Sequence, residues 1–133
     1  MTALTLKKII VHRYPETRPD GGDWDSRLLG NPNPDVYVAV YENKVKIFDN
    51  PDQRYDNVTP QNLPLAWDVE LRVRSGAEIT VQLMDYDVFD ADELMAGCIF
   101  TPDKHFPHRP QVLTLKNIGA SPVEIELRVE WGE

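Results

Sequence analysis

The sequence is poor in the features that mark several large classes of protein. A single cysteine, Cys98, occurs among 133 residues, so no disulfide forms within the chain and the redox compartment stays undetermined. No apolar run approaches the length of a membrane span, and the first residues do not follow a signal-peptide pattern. We therefore expect a cytoplasmic protein.

Basic residues are also scarce. Lys and Arg number 14 against 22 Asp and Glu, which gives a formal net charge of -8. This balance disfavours nucleic acid as a partner, because phosphate backbones attract basic surfaces. It equally disfavours unaided attraction to anionic lipid. An anionic partner would need a bridging cation.

Motifs for nucleophilic catalysis are missing. The chain has no Gly-x-Ser-x-Gly and no glycine-rich phosphate loop, and Cys98 lies in an apolar segment where it fits a small core residue. His105 and His108 have a spacing that zinc could use, but no cysteine accompanies them, which favours surface histidines. Glycoside hydrolysis needs two carboxylates across a cleft, and nothing in the sequence predicts such a cleft. We expect no enzyme.

Short alternating segments take the place of long helical periodicity. Apolar residues alternate with polar ones, or β-branched and aromatic residues are concentrated, in residues 4–14, 36–41, 44–48, 67–73, 79–84, 94–100 and 123–131. In residues 4–14 the apolar phase changes, which a bulge near Lys7 and Lys8 would reconcile. Strands spaced in this way predict an all-β fold, an antiparallel β-sandwich, in a single domain over residues 1–133.

One acidic stretch interrupts the strand pattern at residues 85–93. Asp85 and Asp87 continue the inward phase of Ile79, Val81 and Leu83, so an apolar face turns into a carboxylate pair where the strand ends. Carboxylates about 6 Å apart repel by about 0.7 kcal/mol in water and about 3 kcal/mol at an effective dielectric of 20. A cation would remove this repulsion. Oxygen ligands without nearby His or Cys favour a hard cation, calcium before magnesium.

An EF-hand is the competing calcium motif. Counted from Asp85, its sixth position holds Asp90 where glycine is required, and its twelfth holds Ala96 where a bidentate Glu belongs. The stretch is therefore not an EF-hand.

Three stretches carry recognisable motifs, namely residues 33–40, residues 61–68 and residues 81–87 with the acids after them. Together they resemble the C2 domain, a calcium- and phospholipid-binding module, over nearly the whole chain, which implies an antiparallel eight-stranded β-sandwich. Residues 33–40, Asn-Pro-Asp-Val-Tyr-Val-Ala-Val, are similar to the family's Ser-Asp-Pro-Tyr-Val-x-Val segment. Residues 61–68, Gln-Asn-Leu-Pro-Leu-Ala-Trp-Asp, are similar to its Leu-Asn-Pro-x-Trp-Asn-Glu segment. Residues 81–87, followed by Asp92, Glu93 and Gly97, resemble its third loop, in which Asp-x-Asp precedes two acids and a glycine.

The resemblance implies a set of calcium ligands. Asp35 falls on the ligand position that closes the first loop, Asp85 and Asp87 match the two strand-end ligands, and Glu93 or Asp92 takes the place of the third acid. The family's other first-loop Asp falls here on Leu29. In the extended loop of residues 15–34, either Asp23 or Asp25 could replace it.

The resemblance also implies a function and a cofactor. Calcium among these acids would attract an anionic phospholipid head group, and the protein would associate peripherally with membranes. The side chains expected to enter the interfacial layer are Val88 and Phe89 from the third loop and Trp24 or Leu28 from the first. The alternative is a calcium-independent interaction or scaffolding domain that binds a protein partner. Its surfaces would be the long loop and the basic residues Lys44, Lys46 and Arg54.

Overall fold

The fold is a sandwich of two four-stranded antiparallel sheets, which confirms the predicted architecture. The computed structural model describes residues 2–24, 33–88, 91–117 and 121–132. The strands are β1 (Ala3–Arg13), β2 (Val36–Glu42), β3 (Val45–Asp49), β4 (Leu65–Arg74), β5 (Ile79–Asp85), β6 (Glu93–Phe100), β7 (Val112–Asn117) and β8 (Val123–Gly132). One sheet has the order β4-β1-β8-β7, and the other has the order β3-β2-β5-β6.

Among the described residues, helical structure is limited to short pieces. Helix α1 spans Pro102–His105, and single 3-10 turns span Pro51–Gln53 and Pro60–Asn62. In the part of the chain that the structure describes, no helix is long and apolar enough to cross a membrane.

Alternation of side chains builds the core between the two sheets. In β5, Ile79, Val81 and Leu83 are fully buried while the residues between them are half-buried. The same period runs through β8, so the two inward faces meet over a common apolar interior. Cys98 belongs to this core on β6, and burial raises the pKa of its thiol.

The predicted change of phase in β1 is confirmed as a bulge. The register of β1 against both β4 and β8 shifts between Leu6 and Lys8. One extra residue moves the second half of the strand by one position, so Leu4, Leu6, Ile9 and Val11 are all fully buried.

The strand segments at residues 36–41 and 44–48 predict a turn at Glu42 and Asn43, but the turn between β2 and β3 lies one residue later. Asn43 and Lys44, rather than Glu42 and Asn43, connect the strands, with φ of 49° and 69°. A two-residue hairpin turn of this kind needs positive φ at both positions, which Asn tolerates better than Glu.

Three connections meet at one end of the sandwich. The start of β2 pairs with the end of β5 through Val36 and Asp85, and Val36 also pairs with Tyr55 from the β3–β4 connection. The β1–β2 and β5–β6 connections leave from this same end. We call it the loop end.

The prediction that Trp24 enters a membrane interface is wrong. Its side chain is 4% exposed and belongs to the core, and its indole Nε1 donates a hydrogen bond of 2.8 Å to the carbonyl of Pro15. The indole ring has more apolar area to bury than any other side chain, and the first part of the β1–β2 connection folds back to cover the core with it.

Because Trp24 is a core residue, Trp24→Ala should lower the free energy of unfolding by about 3 to 5 kcal/mol. Val112, an edge-strand residue that is 48% exposed, provides the control, and Val112→Ala should cost less than about 1 kcal/mol. Urea denaturation measures both. A Trp24→Ala protein of nearly unchanged stability that binds vesicles more weakly would restore the membrane role.

Candidate metal centre at the loop end

Asp85 is the centre of the loop end. It is the last residue of β5 and only 1% exposed, so the inward phase of the strand carries a carboxylate to the edge of the core. Its Oδ1 accepts a hydrogen bond of 2.9 Å from the backbone N–H of Asp35. The backbone N–H of Tyr86 in turn donates to the carbonyl of Asp35 at 2.8 Å. Two predicted ligands, fifty residues apart in the chain, are therefore held side by side.

The ionisation of Asp35 reflects the burial and the charges at this end. Its Oδ1 accepts a hydrogen bond of 2.8 Å from the backbone N–H of Asn57, which holds the carboxylate charged. Loss of solvent nevertheless raises the pKa of Asp35, and the nearby charges of Asp56 and Asp87 raise it further, while Arg54 opposes them. Negative charge from three separate connections thus accumulates around Asp35.

Asp56 is a member of this cluster that sequence reasoning missed. It lies in the β3–β4 connection, and Arg54 Nε contacts its Oδ1 at 3.0 Å. The same guanidinium stacks on the ring of Tyr86, 4.0 Å from its centroid. The sequence around Asp56 is an ordinary polar loop, and only the approach of that loop to Val36 gives the residue its place.

Asp92 organises the β5–β6 connection. Its Oδ1 accepts a hydrogen bond of 2.9 Å from the backbone N–H of Asp87, and its Oδ2 accepts one of 2.5 Å from the hydroxyl of Tyr37. Burial raises the pKa of Tyr37, and so does its hydrogen bond to the charged Asp92. Both oxygens of Asp92 have protein partners, so Asp92 suits a positioning role better than that of a ligand.

Glu93 lies beside Asp85 but already contacts a cation. It is the first residue of β6 and pairs in register with Asp85. Its Oε2 is 3.0 Å from Nη2 of Arg18, which belongs to the β1–β2 connection. Sequence reasoning placed no basic residue at this point.

The remaining predicted residues divide between described and undescribed positions. Val88 follows Asp87 and is 75% exposed, so its side chain faces solvent. Asp23 lies half-buried next to Trp24. Asp25, Leu28 and Phe89 lie outside the described residues, so the completion of the first loop by Asp23 or Asp25 stays a prediction.

The donor set fits a hard cation in chemistry. Asp35, Asp85 and Asp87, with Asp56 nearby, offer oxygen alone. Burial raises the pKa of Asp35 most, and the charges of Asp56 and Asp87, which a cation would neutralise, raise it further. Within residues 2–24, 33–88, 91–117 and 121–132, no group of three or more His, Cys, Asp or Glu side chains is arranged to hold a metal ion. Binding would therefore require these carboxylates to turn toward one another.

Comparison with known proteins identifies the architecture through structure rather than sequence. No protein-family model matches the chain, and neither does any curated protein sequence. A structure of a C2 domain matches with a TM-score of 0.59 and 15% identity, covering 98% of this chain and 99% of that one.

Two larger proteins contain a similar unit. Human GIVD cytosolic phospholipase A2 matches with a TM-score of 0.63 and 14% identity over 99% of this chain but 16% of the phospholipase. The calcium-bound pair of C2 domains of Extended-Synaptotagmin 2 matches with a TM-score of 0.61 and 16% identity, over 97% of this chain and 45% of that one. At these identities the likeness shows a shared fold.

Tyr37→Phe tests the clamp on Asp92. Loss of a half-buried hydrogen bond to a charged acceptor should lower the free energy of unfolding by about 1.5 to 3 kcal/mol. Tyr41→Phe, on the same face of β2, is the matched control, because the hydroxyl of Tyr41 has no carboxylate partner in the described part of the chain. Equal losses for the two variants in urea denaturation would contradict the assignment.

Asp35→Asn tests the charge cluster in the absence of calcium. The amide keeps an oxygen for the Asn57 N–H but removes the charge, so the variant should be at least as stable as the parent at neutral pH. A raised pKa means that the ionised carboxyl costs stability above that pKa and that the cost disappears as the pH falls through it. The difference between the two proteins in urea denaturation should therefore narrow on acidification. A difference that widens would contradict the cluster.

Proposed function

We propose that this chain, which has the fold of a C2 domain, is a calcium-dependent module for binding anionic phospholipid membranes. The observation that carries the proposal is the convergence of Asp35, Asp85 and Asp87 at the loop end, where the charges of Asp56 and Asp87 oppose ionisation of Asp35. Carboxylates held together in this way store repulsion that binding of a divalent cation releases.

The residues that would hold the ion differ in how firmly the protein fixes them. Asp85 is held by the Asp35 N–H, and Asp35 is held by the Asn57 N–H, so these two carboxylates have less freedom than Asp87 and would need the smaller adjustment on binding. Asp87 lies beyond the end of β5 in a connection that Asp92 holds through the Asp87 N–H. Calcium, when bound, would supply the positive charge toward which a lipid phosphate moves.

Charge and exposure together support a membrane as the partner. With a net charge of -8 the protein repels an anionic surface unless a cation intervenes, which makes binding conditional on calcium. The exposed Val88, next to Asp87, would then enter the interfacial layer once the acids beside it are neutralised.

A second candidate function is a calcium-independent interaction domain. The contacts that favour it are the ion pair of Glu93 with Arg18 and the hydrogen bond of Asp92 with Tyr37, since both supply protein partners to third-loop acids without any ion. Lys44, Lys46 and Arg54 would then belong to the partner surface, as the sequence suggests.

The double substitution Asp85→Asn/Asp87→Asn separates the two functions. It should abolish calcium binding in isothermal titration and calcium-dependent sedimentation with phosphatidylserine vesicles. In chelator, the free energy of unfolding of the variant should either rise or fall only slightly, because the substitutions also remove the repulsion between the two carboxylates. The control Asp68→Asn/Glu70→Gln removes the same charge from the outward face of β4, where Lys8 and Lys7 pair with these acids, and should leave calcium binding intact.

Unchanged calcium affinity in Asp85→Asn/Asp87→Asn would show that the ion binds elsewhere. Vesicle binding by the unaltered protein in chelator, equal to that in calcium, would favour the second candidate.

A further inference from the structure

A hydrogen-bonded turn at residues 18–22 places Arg18 at the loop end. The backbone N–H of Arg18 donates to the carbonyl of Gly22, and the N–H of Gly21 donates to the carbonyl of Arg18, each at 2.8 Å. Gly21 has φ of 87°, a conformation that favours glycine, and the N–H of Gly22 is held by Oδ1 of Asp20 at 2.8 Å. The backbone from which the Arg18 side chain extends is therefore fixed by three hydrogen bonds.

The flanks of this turn are anchored in the core. On one side the buried hydroxyl of Tyr14 donates to the carbonyl of Val58 at 3.2 Å, and on the other side Trp24 fills the core and donates to Pro15. The turn consequently has little freedom to move away from the loop end, and the reach of the Arg18 side chain to β6 follows from that placement.

The contact of Arg18 with Glu93 puts a permanent positive charge at the predicted calcium centre. A guanidinium stays protonated at every physiological pH. Its Nη2 lies 3.0 Å from Oε2 of Glu93, which in turn pairs in register with the buried Asp85. A divalent cation that used Glu93 would have to displace this charge, and a cation bound by the neighbouring acids alone would still be repelled by it.

We propose that Arg18 is an internal counter-cation of the loop end, which occupies Glu93 in the calcium-free protein and sets the calcium affinity of the site. The proposal rests on the proposed function, since it concerns the regulation of that same site. Without Arg18 the acids would bind calcium more tightly, so the residue raises the calcium concentration at which the protein responds.

Arg18→Gln provides the direct test, with Arg74→Gln as the matched control. Arg74 is also an arginine paired with a glutamate, Glu42, but at the opposite end of the sandwich. In isothermal titration Arg18→Gln should bind calcium more than about fivefold more tightly, because the field in water of one unit charge on a divalent ion roughly 8 Å away already gives that factor and the release of Glu93 adds to it. Arg74→Gln should match the parent protein. Equal affinities for Arg18→Gln and Arg74→Gln would overturn the proposal.

A cycle with Glu93→Gln shows whether the effect passes through Glu93. In the Glu93→Gln background, the gain in affinity from Arg18→Gln should shrink to the field effect of about fivefold, because calcium no longer competes with the guanidinium for that carboxylate. An undiminished gain would overturn the competition and leave only a general field effect.

The four proteins of this cycle are the parent, Arg18→Gln, Glu93→Gln and the double variant. Measured in chelator, their stabilities give a readout that does not depend on calcium. Urea denaturation should show that the stabilities of Arg18→Gln and Glu93→Gln are not additive, as expected for a pair in contact. Additive changes would overturn the Arg18–Glu93 contact whatever calcium does. If the changes are not additive and yet neither the parent nor Arg18→Gln binds calcium, the proposed function fails, while the contact stands as a calcium-independent neutralisation of the site.

Discussion

The hydrogen bond from the Asp35 N–H to the buried carboxylate of Asp85 is the interaction on which the loop end depends. A carboxylate that is 1% exposed is costly unless its oxygens are satisfied, and a backbone N–H at 2.9 Å is a rigid donor. The bond joins the start of β2 to the end of β5, the two central strands of their sheet. Asn57 and Tyr86 are then positioned by Asp35, through its carboxylate and its carbonyl respectively.

Acidic side chains are paired with basic ones on the outer face of one sheet, whereas at the loop end they cluster together. On the sheet formed by β4, β1, β8 and β7, acids on the outward face have basic partners, as in Lys7–Glu70 and Lys116–Glu124. At the loop end two arginines, Arg18 and Arg54, contact the rim of the acidic cluster, but burial and the charges of Asp56 and Asp87 still raise the pKa of Asp35. The fold thus concentrates negative charge where three connections meet.

The fold could be predicted from the sequence because the patterns that determine it lie within short segments. Alternation in β5 and β8 sets which side chains face inward, and the change of phase at Lys7 and Lys8 marks the bulge in β1. The same alternation places Asp85 at the edge of the core. These features depend only on the two-residue period of a strand, which can be recognised from neighbouring residues in the sequence.

The rest of the site depends on the approach of distant segments and could not be predicted in this way. A tryptophan in the first loop predicts a membrane contact, yet an indole in a loop is equally suited to cover the core, and only the path of residues 15–24 decides between the two. Asp56 and the Arg18–Glu93 pair likewise give no local signal, since one is an ordinary loop acid and the other joins separate connections. Of the predicted ligands, Asp85 is bonded to the backbone of Asp35 and Asp87 acts electrostatically on Asp35, while Asp92 is occupied in holding the connection.

Two-dimensional NMR during a calcium titration tests the central claim most directly, because the amides of Asp35, Tyr86, Asn57 and Asp87 each donate a hydrogen bond within the acidic cluster. If the loop end holds the ion, these four resonances should shift together with one saturating affinity, while amides on β7 and β8 stay in place. Saturable shifts that spare these four amides, or no shifts at millimolar calcium, would contradict a calcium centre at Asp85.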